Sequence, residues 1–285
     1  MQSSNTAMHG KNCMVTGATA GIGEVTAQAL ARMGANVILV GRSQQKCADT
    51  VTRIKEKTGN SSVEYLLADL SSQAQIRELV AQFHNRYDRL DVLVNNAGEA
   101  FIWRQESVGG IEMTFALNHL NYFLLTNLLL DTIKNSSPAR IVNVSSNSHY
   151  GANINFEDLE GKRKYWWNTA YGQSKLANVM FTYELARRLE GTSVTVNALN
   201  PGFVATDIGK NNGWYTRLIL WFLRLWALTP QEGARTNVYL ASSHEVEGVT
   251  GKYFFKEKQV ESDPASYDLE AARRLWEVSA EMVGI

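Results

Sequence analysis

Thr16-Gly17-Ala18-Thr19-Ala20-Gly21-Ile22-Gly23 is the stretch on which the reading of this chain turns. The apolar run Asn12-Cys13-Met14-Val15-Thr16 precedes it as a candidate strand, and a helical pattern over 23–33, ended by Gly34, follows it. Three glycines between a strand and a helix let the backbone turn sharply and come close to a ligand. The helix N-terminus that follows offers free N–H groups and positive potential to an anion. The stretch therefore predicts a bed for a dinucleotide pyrophosphate. Its spacing is Gly-x-x-x-Gly-x-Gly rather than Gly-x-Gly-x-x-Gly, and an ordinary glycine-rich turn is the plainer alternative.

Outward from this turn, short apolar runs alternate with longer helical patterns. Strands are predicted at 37–40, 63–68, 92–94, 140–144, 194–199 and 252–255. Between them come a polar helix through Lys57 and helices over 72–87, 110–134 and 171–189. Continuous apolar strands separated by helices indicate a parallel sheet covered on both faces. Right-handed crossovers make it an α/β, doubly wound, Rossmann-like sheet. No repeat, low-complexity tract or linker interrupts the chain, so 1–285 reads as one domain. Residues 151–168 hold charges and three aromatics (Tyr165, Trp166, Trp167) without periodicity and read as a long ordered loop. Residues 214–228 are intensely apolar, with Arg217 and Arg224 on one face, and suggest an amphipathic helix. Thr229-Pro230-Gln231-Glu232 has the form of a fresh helix start with a capping box.

Composition narrows the function classes. Among 285 residues, 28 basic side chains balance 28 acidic ones, which argues against a nucleic-acid partner. The first ten residues lack the apolar run of a signal peptide, and no stretch has the roughly 18 apolar residues of a membrane span. Cys13 and Cys47 fit neither a metal site nor a disulfide framework, so a reducing, cytoplasmic setting and no metal are expected.

Two further places carry chemistry. The second strand ends in Gly41-Arg42-Ser43, where an acidic residue would bind ribose hydroxyls and an arginine would accommodate a 2′-phosphate. Arg42 favours NADP(H), with NAD(H) left open, and a solvated surface arginine is the bland reading. In Tyr171-Gly172-Gln173-Ser174-Lys175 the four-residue spacing gives about 6 Å of helical rise, so Tyr171 and Lys175 share a face. A phenol near pH 10 is too weak a base at neutral pH, and a neighbouring ammonium lowers that value. Alone, such a pair is common by chance.

Taken with Asp69-Leu70, Asn95-Asn96-Ala97-Gly98, Asn118, Val144-Ser145-Ser146 and Pro201-Gly202, in that order, the chain resembles the short-chain dehydrogenase/reductase family over nearly its whole length. Arg140-Ile-Val-Asn-Val-Ser-Ser146, Ser174-Lys-Leu-Ala-Asn178, Glu184-Leu-Ala-Arg-Arg-Leu189 and Arg274-Leu-Trp-Glu-Val278 make it most similar to the retinol-dehydrogenase-like branch. The resemblance implies Tyr171 as general acid/base, Ser146 rather than Ser145 as the donor to the substrate oxygen, and Lys175 as the group that binds the nicotinamide ribose and depresses the tyrosine. It implies that Asn118 helps hold a water in a relay to Lys175. It implies cofactor contacts from Gly17, Thr19, Gly21, Ile22 and Gly23, and from Asp69 and Leu70 near the adenine. It adds Asn95, Ala97 and Gly98 along the ribose, and Pro201, Gly202, Val204 and Thr206 around the carboxamide. Asp69 also reads as a simple turn or cap aspartate. Two departures stand out: 25 positions separate Ser146 from Tyr171, and Asn121 stands where the family often has Gly.

Residues 99–104, 151–168 and 203–229 are expected to form the substrate wall and lid. Their aromatics suit a lipophilic alcohol, aldehyde or ketone, with a retinoid or steroid as candidates by resemblance. Residues 214–228 read as a lid or a contact in a homo-oligomer, with a peripheral membrane contact as the weaker alternative. A cofactor-sensing scaffold that has lost turnover, or an epimerase or dehydratase on a related sheet, are the competing functions.

Overall fold

The computed structural model describes residues 7–203 and 228–285. Strands β1 (Asn12–Thr16), β2 (Asn36–Gly41), β3 (Val63–Leu67), β4 (Val92–Asn95), β5 (Ala139–Val144), β6 (Val194–Asn200), β7 (Lys252–Phe255) and β8 (Lys258–Val260) form one sheet in the order β3-β2-β1-β4-β5-β6-β7-β8. Every neighbouring pair is parallel except β7–β8. The expected strands are all present within a residue or two. The added strand β8 is a short antiparallel edge, its residues too polar to announce themselves in the sequence.

Side chains alternate across the sheet, as the two-residue period requires. Met14, Ile38 and Leu93 face one core with α3 (Gln73–His84), α5 (Asn121–Asn135), α6 (Trp167–Arg188) and α8 (Leu269–Val283). Cys13, Val37 and Val92 face the other, with α1 (Gly21–Arg32), α2 (Gln44–Thr58) and α7 (Pro230–Ser242). Both cysteines are buried and free, and burial raises both thiols above their ordinary range. The capping box of α7 forms as its sequence predicts: Glu232 N–H donates to Thr229 Oγ1 and Thr229 N–H to Glu232 Oε2.

Some element boundaries differ from expectation. The helix read over 110–134 starts three residues later, where the Glu112 carboxylate caps α4 (Met113–Phe115) by accepting from the Thr114 and Phe115 N–H groups. It then widens into a π turn over Ala116–Leu120 before continuing as α5. At the far end of that turn the Asn121 amide donates to the Leu117 carbonyl at 3.1 Å. The loop after β5 ends at Trp166, because α6 begins at Trp167. Among the described residues no helix is long and apolar enough to cross a membrane, and no cluster of three or more His, Cys, Asp or Glu is placed to hold a metal ion.

The sheet fixes where a ligand belongs. From β1 the chain proceeds outward to β2 on one side, and β4 pairs on the other, so the carboxyl ends of β1 and β4 flank a topological switch point.

Candidate active site

At that switch point opens a cleft of about 460 Å³. Its floor is the glycine turn, held by the hydroxyl of Thr16, which accepts from the Asn96 and Ala97 N–H groups at 2.8 and 3.0 Å. Asn96 reciprocates, its amide donating to the Thr16 carbonyl at 2.8 Å. Gly17 and Gly21 adopt φ of +62° and +58°, the region that disfavours a side chain. A Cβ at Gly17 would stand 2.9 Å from the Ala97 Cα. At Gly23 it would overlap the Gly17 carbonyl oxygen and lie 2.6 Å from Asn96 Nδ2. Helix α1 has no side-chain cap at its N-terminus. Close backbone approach and an uncapped helix start fit a pyrophosphate. Gly23→Ala is accordingly expected to weaken binding of a nicotinamide dinucleotide at least about tenfold and to lower the melting temperature, read by fluorescence titration and thermal unfolding.

Of the residues expected around the cofactor, Gly17, Thr19, Gly21, Ile22, Gly23, Arg42, Asp69, Leu70, Ala97 and Gly98 all line this cleft. Arg42 is exposed at its rim. Asp69 has a double character: its Oδ1 accepts from the Ser71 N–H and hydroxyl as in a turn, yet the residue borders the cleft. Asn95 does not face it. Its amide donates to Thr126 Oγ1 and Asn143 Oδ1, both at 2.9 Å, inside the core under α5. The parity of β4 explains this, since Asn95 lies on the same face as Leu93, and Asn96 is the asparagine that lines the cleft. Gly202, with φ +86°, follows Pro201 and donates to Asn200 Oδ1 at 2.9 Å. Val204, Thr206 and nearly all of the 203–229 segment lie outside the described residues. Where the chain resumes, Leu228 N–H donates to the Phe203 carbonyl at 2.7 Å.

The reactive side chains meet at the inner end of the cleft. Helix α6 carries Tyr171, Ser174 and Lys175, and the turn after β5 carries Ser146. The two serines of that turn divide: Ser145 is buried and donates to the Lys175 carbonyl at 2.8 Å, whereas Ser146 neighbours the Tyr171 phenol and its hydroxyl donates to Ser148 Oγ at 3.3 Å. Burial pushes the Tyr171 phenol up to about 12, with the neighbouring Ser146 hydroxyl pulling the other way. The Lys175 Nζ lies 5.5 Å from the centre of the Tyr171 ring and donates to the Val144 carbonyl at 3.2 Å. Burial lowers its pKa to about 7. Sequence spacing alone anticipates a lysine that depresses the tyrosine; in the folded chain, enclosure penalises the charged form of both groups.

Asn118 lies in the π turn, where its side chain faces Gly98. A Cβ at Gly98 would stand 3.0 Å from Asn118 Oδ1 and 3.2 Å from Lys175 Nζ, so the cleft and the reactive cluster meet at this glycine. Asn118 Oδ1 accepts from Glu99 N–H, while its amide donates to the Glu99 carbonyl and to Ser174 Oγ. Its own carbonyl accepts from Asn178 Nδ2 at 2.9 Å. Two contributors escape sequence reasoning here, Thr16 and Asn96. The adjacent asparagines with the parity of β4 were the available signal for the second.

Comparison with known proteins agrees with this geometry. Residues 11–214 match the family model described as short chain dehydrogenase. The human polyprenol dehydrogenase is 46% identical over 280 residues, covering 95% of this chain and 84% of that protein. Human retinol dehydrogenase 13 is 45% identical over 285 residues, covering 97% and 85%. Among solved structures, an uncharacterized protein from Mycobacterium paratuberculosis superposes with a TM-score of 0.78 at 29% identity, covering 100% of this chain and 98% of the other. The NADP active-site complex of Pseudomonas aeruginosa RhlG gives 0.70 at 28% identity, covering 89% and 97%. With the glycine cleft, the Tyr171–Lys175 helix and these matches in agreement, the chain belongs to the short-chain dehydrogenase/reductase family of oxidoreductases acting on CH–OH groups, and within it to the retinol-dehydrogenase-like members.

Proposed function

We propose that this chain transfers hydride between NADP(H) and a lipophilic aldehyde or ketone and its alcohol. The observation that carries the proposal is the half-buried Tyr171 phenol, neighboured by Ser146 and adjoined by Lys175, where the glycine cleft ends. The cofactor supplies or accepts the hydride. In reduction the Tyr171 phenol gives its proton to the carbonyl oxygen, and in oxidation it takes the proton back. Ser146 donates to that oxygen and stabilises the charge that develops on it. Lys175 would hold the ribose hydroxyls, whose oxygens would favour its ammonium form, and that charge would draw the phenol down from its high value. Asn118 and Gly98 shape the ground between them, and Pro201 and Gly202 bound the carboxamide side.

Three things support the substrate class. The loop over 151–166 is fastened to the opposite wall by Tyr165, whose phenol donates to the Phe101 carbonyl at 2.6 Å. Trp103 and Trp166, one on each of these wall segments, are exposed. Relatives at 43–46% identity are named for polyprenol and retinol. Screening NADPH-dependent reduction of retinal, steroid ketones, quinones and short polar aldehydes tests the class, with retinal or another long apolar carbonyl expected to be preferred. Preference for short polar aldehydes would refute it.

Cofactor choice rests on Arg42 at the cleft rim, and an NADP complex of a structural relative supports it. Arg42→Asp is expected to lower the NADPH/NADH ratio of kcat/KM by about 10- to 100-fold, the scale of a lost charge-assisted bond. An unchanged ratio would remove Arg42 from the argument.

A further inference from the structure

Three residues after Ser146, in Ser145-Ser146-Asn147-Ser148-His149, stands a histidine with 0% exposure that no step above uses. Its two ring nitrogens have partners that settle its proton. Nε2 lies 3.1 Å from the Asp263 N–H, which can only donate, so Nε2 accepts. Nδ1 lies 2.7 Å from the Ser146 carbonyl, which can only accept, so Nδ1 carries the hydrogen. The Tyr253 hydroxyl also reaches this carbonyl, at 3.5 Å, and the His149 main-chain N–H at 3.2 Å. A single carbonyl thus receives three donors.

Around this ring, two segments far apart in the chain are stapled together. Gly151 N–H donates to Asp263 Oδ2 at 2.7 Å, and the Tyr150 phenol to the Glu261 carbonyl at 2.6 Å. Ser146 is held in extended backbone (φ −165°, ψ 159°), from which its Oγ accepts from Ser148 N–H at 3.2 Å and donates to Ser148 Oγ at 3.3 Å, beside the Tyr171 phenol.

We propose that His149 is a positioning residue of the reaction: by tying the Ser146 carbonyl to the segment that follows β8, it fixes the direction in which the Ser146 hydroxyl meets Tyr171 and the substrate oxygen. The inference rests on the role given to Ser146 above. It assigns to the carboxyl-terminal part of the chain a share in the reactive geometry, although that part contributes no reacting group.

The test uses the full chain with NADPH and two probes, retinal and decanal. An asparagine places its amide nitrogen near Nδ1 and keeps the bond to Ser146, whereas a glutamine places its head near Nε2 and loses it. H149N keeps the Ser146 end of the tie and loses the Asp263 end, and is expected to retain several-fold more kcat than H149Q. H149Q and H149A are expected to lose about 10- to 100-fold, the scale of a reacting group displaced by up to about 1 Å, with NADPH affinity unchanged. The decisive comparison is a double-mutant cycle with Ser146→Ala, because a residue acting through the Ser146 hydroxyl has nothing left to position once that hydroxyl is gone. In that background H149A should cost nothing more. The ¹³Cζ resonance of Tyr171 gives a readout free of turnover: it should move in H149A and S146A alike and no further in the double variant. Should H149A fail to fold, H149N against H149Q carries the same test.

An equal loss from H149A with and without Ser146, or an H149Q as active as H149N, overturns the proposal. If S146A alone leaves both kcat and the Tyr171 resonance at wild-type values, the role of Ser146 fails first, and the inference falls with it in a recognisably different way.

Discussion

Replacing Tyr171 with Phe is expected to lower kcat for NADPH-dependent retinal reduction by about 10²–10⁴-fold, the range over which a positioned proton donor contributes. Only the hydroxyl leaves, and the ring keeps its place beside Lys175 Nζ, so NADPH affinity and melting temperature should stay close to wild type. The pH dependence follows from the direction of the shift. Burial raises the phenol to about 12, so at neutral pH it holds the proton that reduction consumes. Reduction should therefore be nearly flat with pH where the phenol is protonated. Oxidation needs the phenolate, and its rate should climb with pH across the same range, less steeply to the extent that a charged Lys175 brings the phenol down. A Y171F enzyme that turns over at the wild-type rate would end the assignment of Tyr171, and an oxidation rate that falls as pH rises would end this account of its ionisation.

Where the sequence could be read and where it could not follows a physical line. The glycine turn was legible because backbone geometry restricts residue choice: Gly17 and Gly21 need positive φ, and Gly23 has no room for a Cβ. The central strands were legible because burial on two faces leaves continuous apolar runs. The edge strand β8 was not, since Lys258-Gln259-Val260 has only one neighbour to pair with and little to bury. Nor was the π turn over Ala116–Leu120, because a widened turn leaves no mark in a 3.6-residue pattern until the backbone is seen. Arrangement within the site shows the same divide. That Tyr171 and Lys175 share a helical face is a matter of spacing alone, but the sign of their pKa shifts depends on how deeply the fold encloses them. Asn95 and Asn96 look interchangeable as adjacent letters, and β4 sends one into the core and the other to the cleft. His149 is quieter still, because the shortest bond of each ring nitrogen is to a main-chain group, one of them 114 residues away, and neither is encoded by a side chain.

Lys175 links the reaction to the stability of the fold, and Lys175→Met should separate the two. Its activity is expected to fall at least about 100-fold, with weaker NADPH binding, because the donor to the ribose is lost. Its stability without cofactor should move the other way. In the native state burial holds the ammonium at about 7, against 10.5 for the exposed side chain. Below pH 7 both states carry the proton, and the native state bears the full cost of an enclosed charge. Between about 7 and 10.5 the unfolded chain binds the proton and the native one does not, so wild-type stability gains with rising pH on this account. Above 10.5 neither state is charged and the cost is gone. A methionine of similar length has no such cost, and the Val144 carbonyl that loses the lysine keeps Tyr122 and Asn178 as donors. K175M should therefore melt several degrees above wild type at pH 6, by at most on the order of 5 kcal/mol. The advantage should shrink steadily as pH is raised toward 10.5. Saturating NADPH should narrow it as well, since the ribose oxygens favour the ammonium and stabilise only the wild type through it. Thermal unfolding across this pH range, with and without NADPH, measures all three trends. A K175M less stable than wild type at pH 6, or a difference independent of pH, would show that the charge of Lys175 is already compensated within the fold before any cofactor arrives.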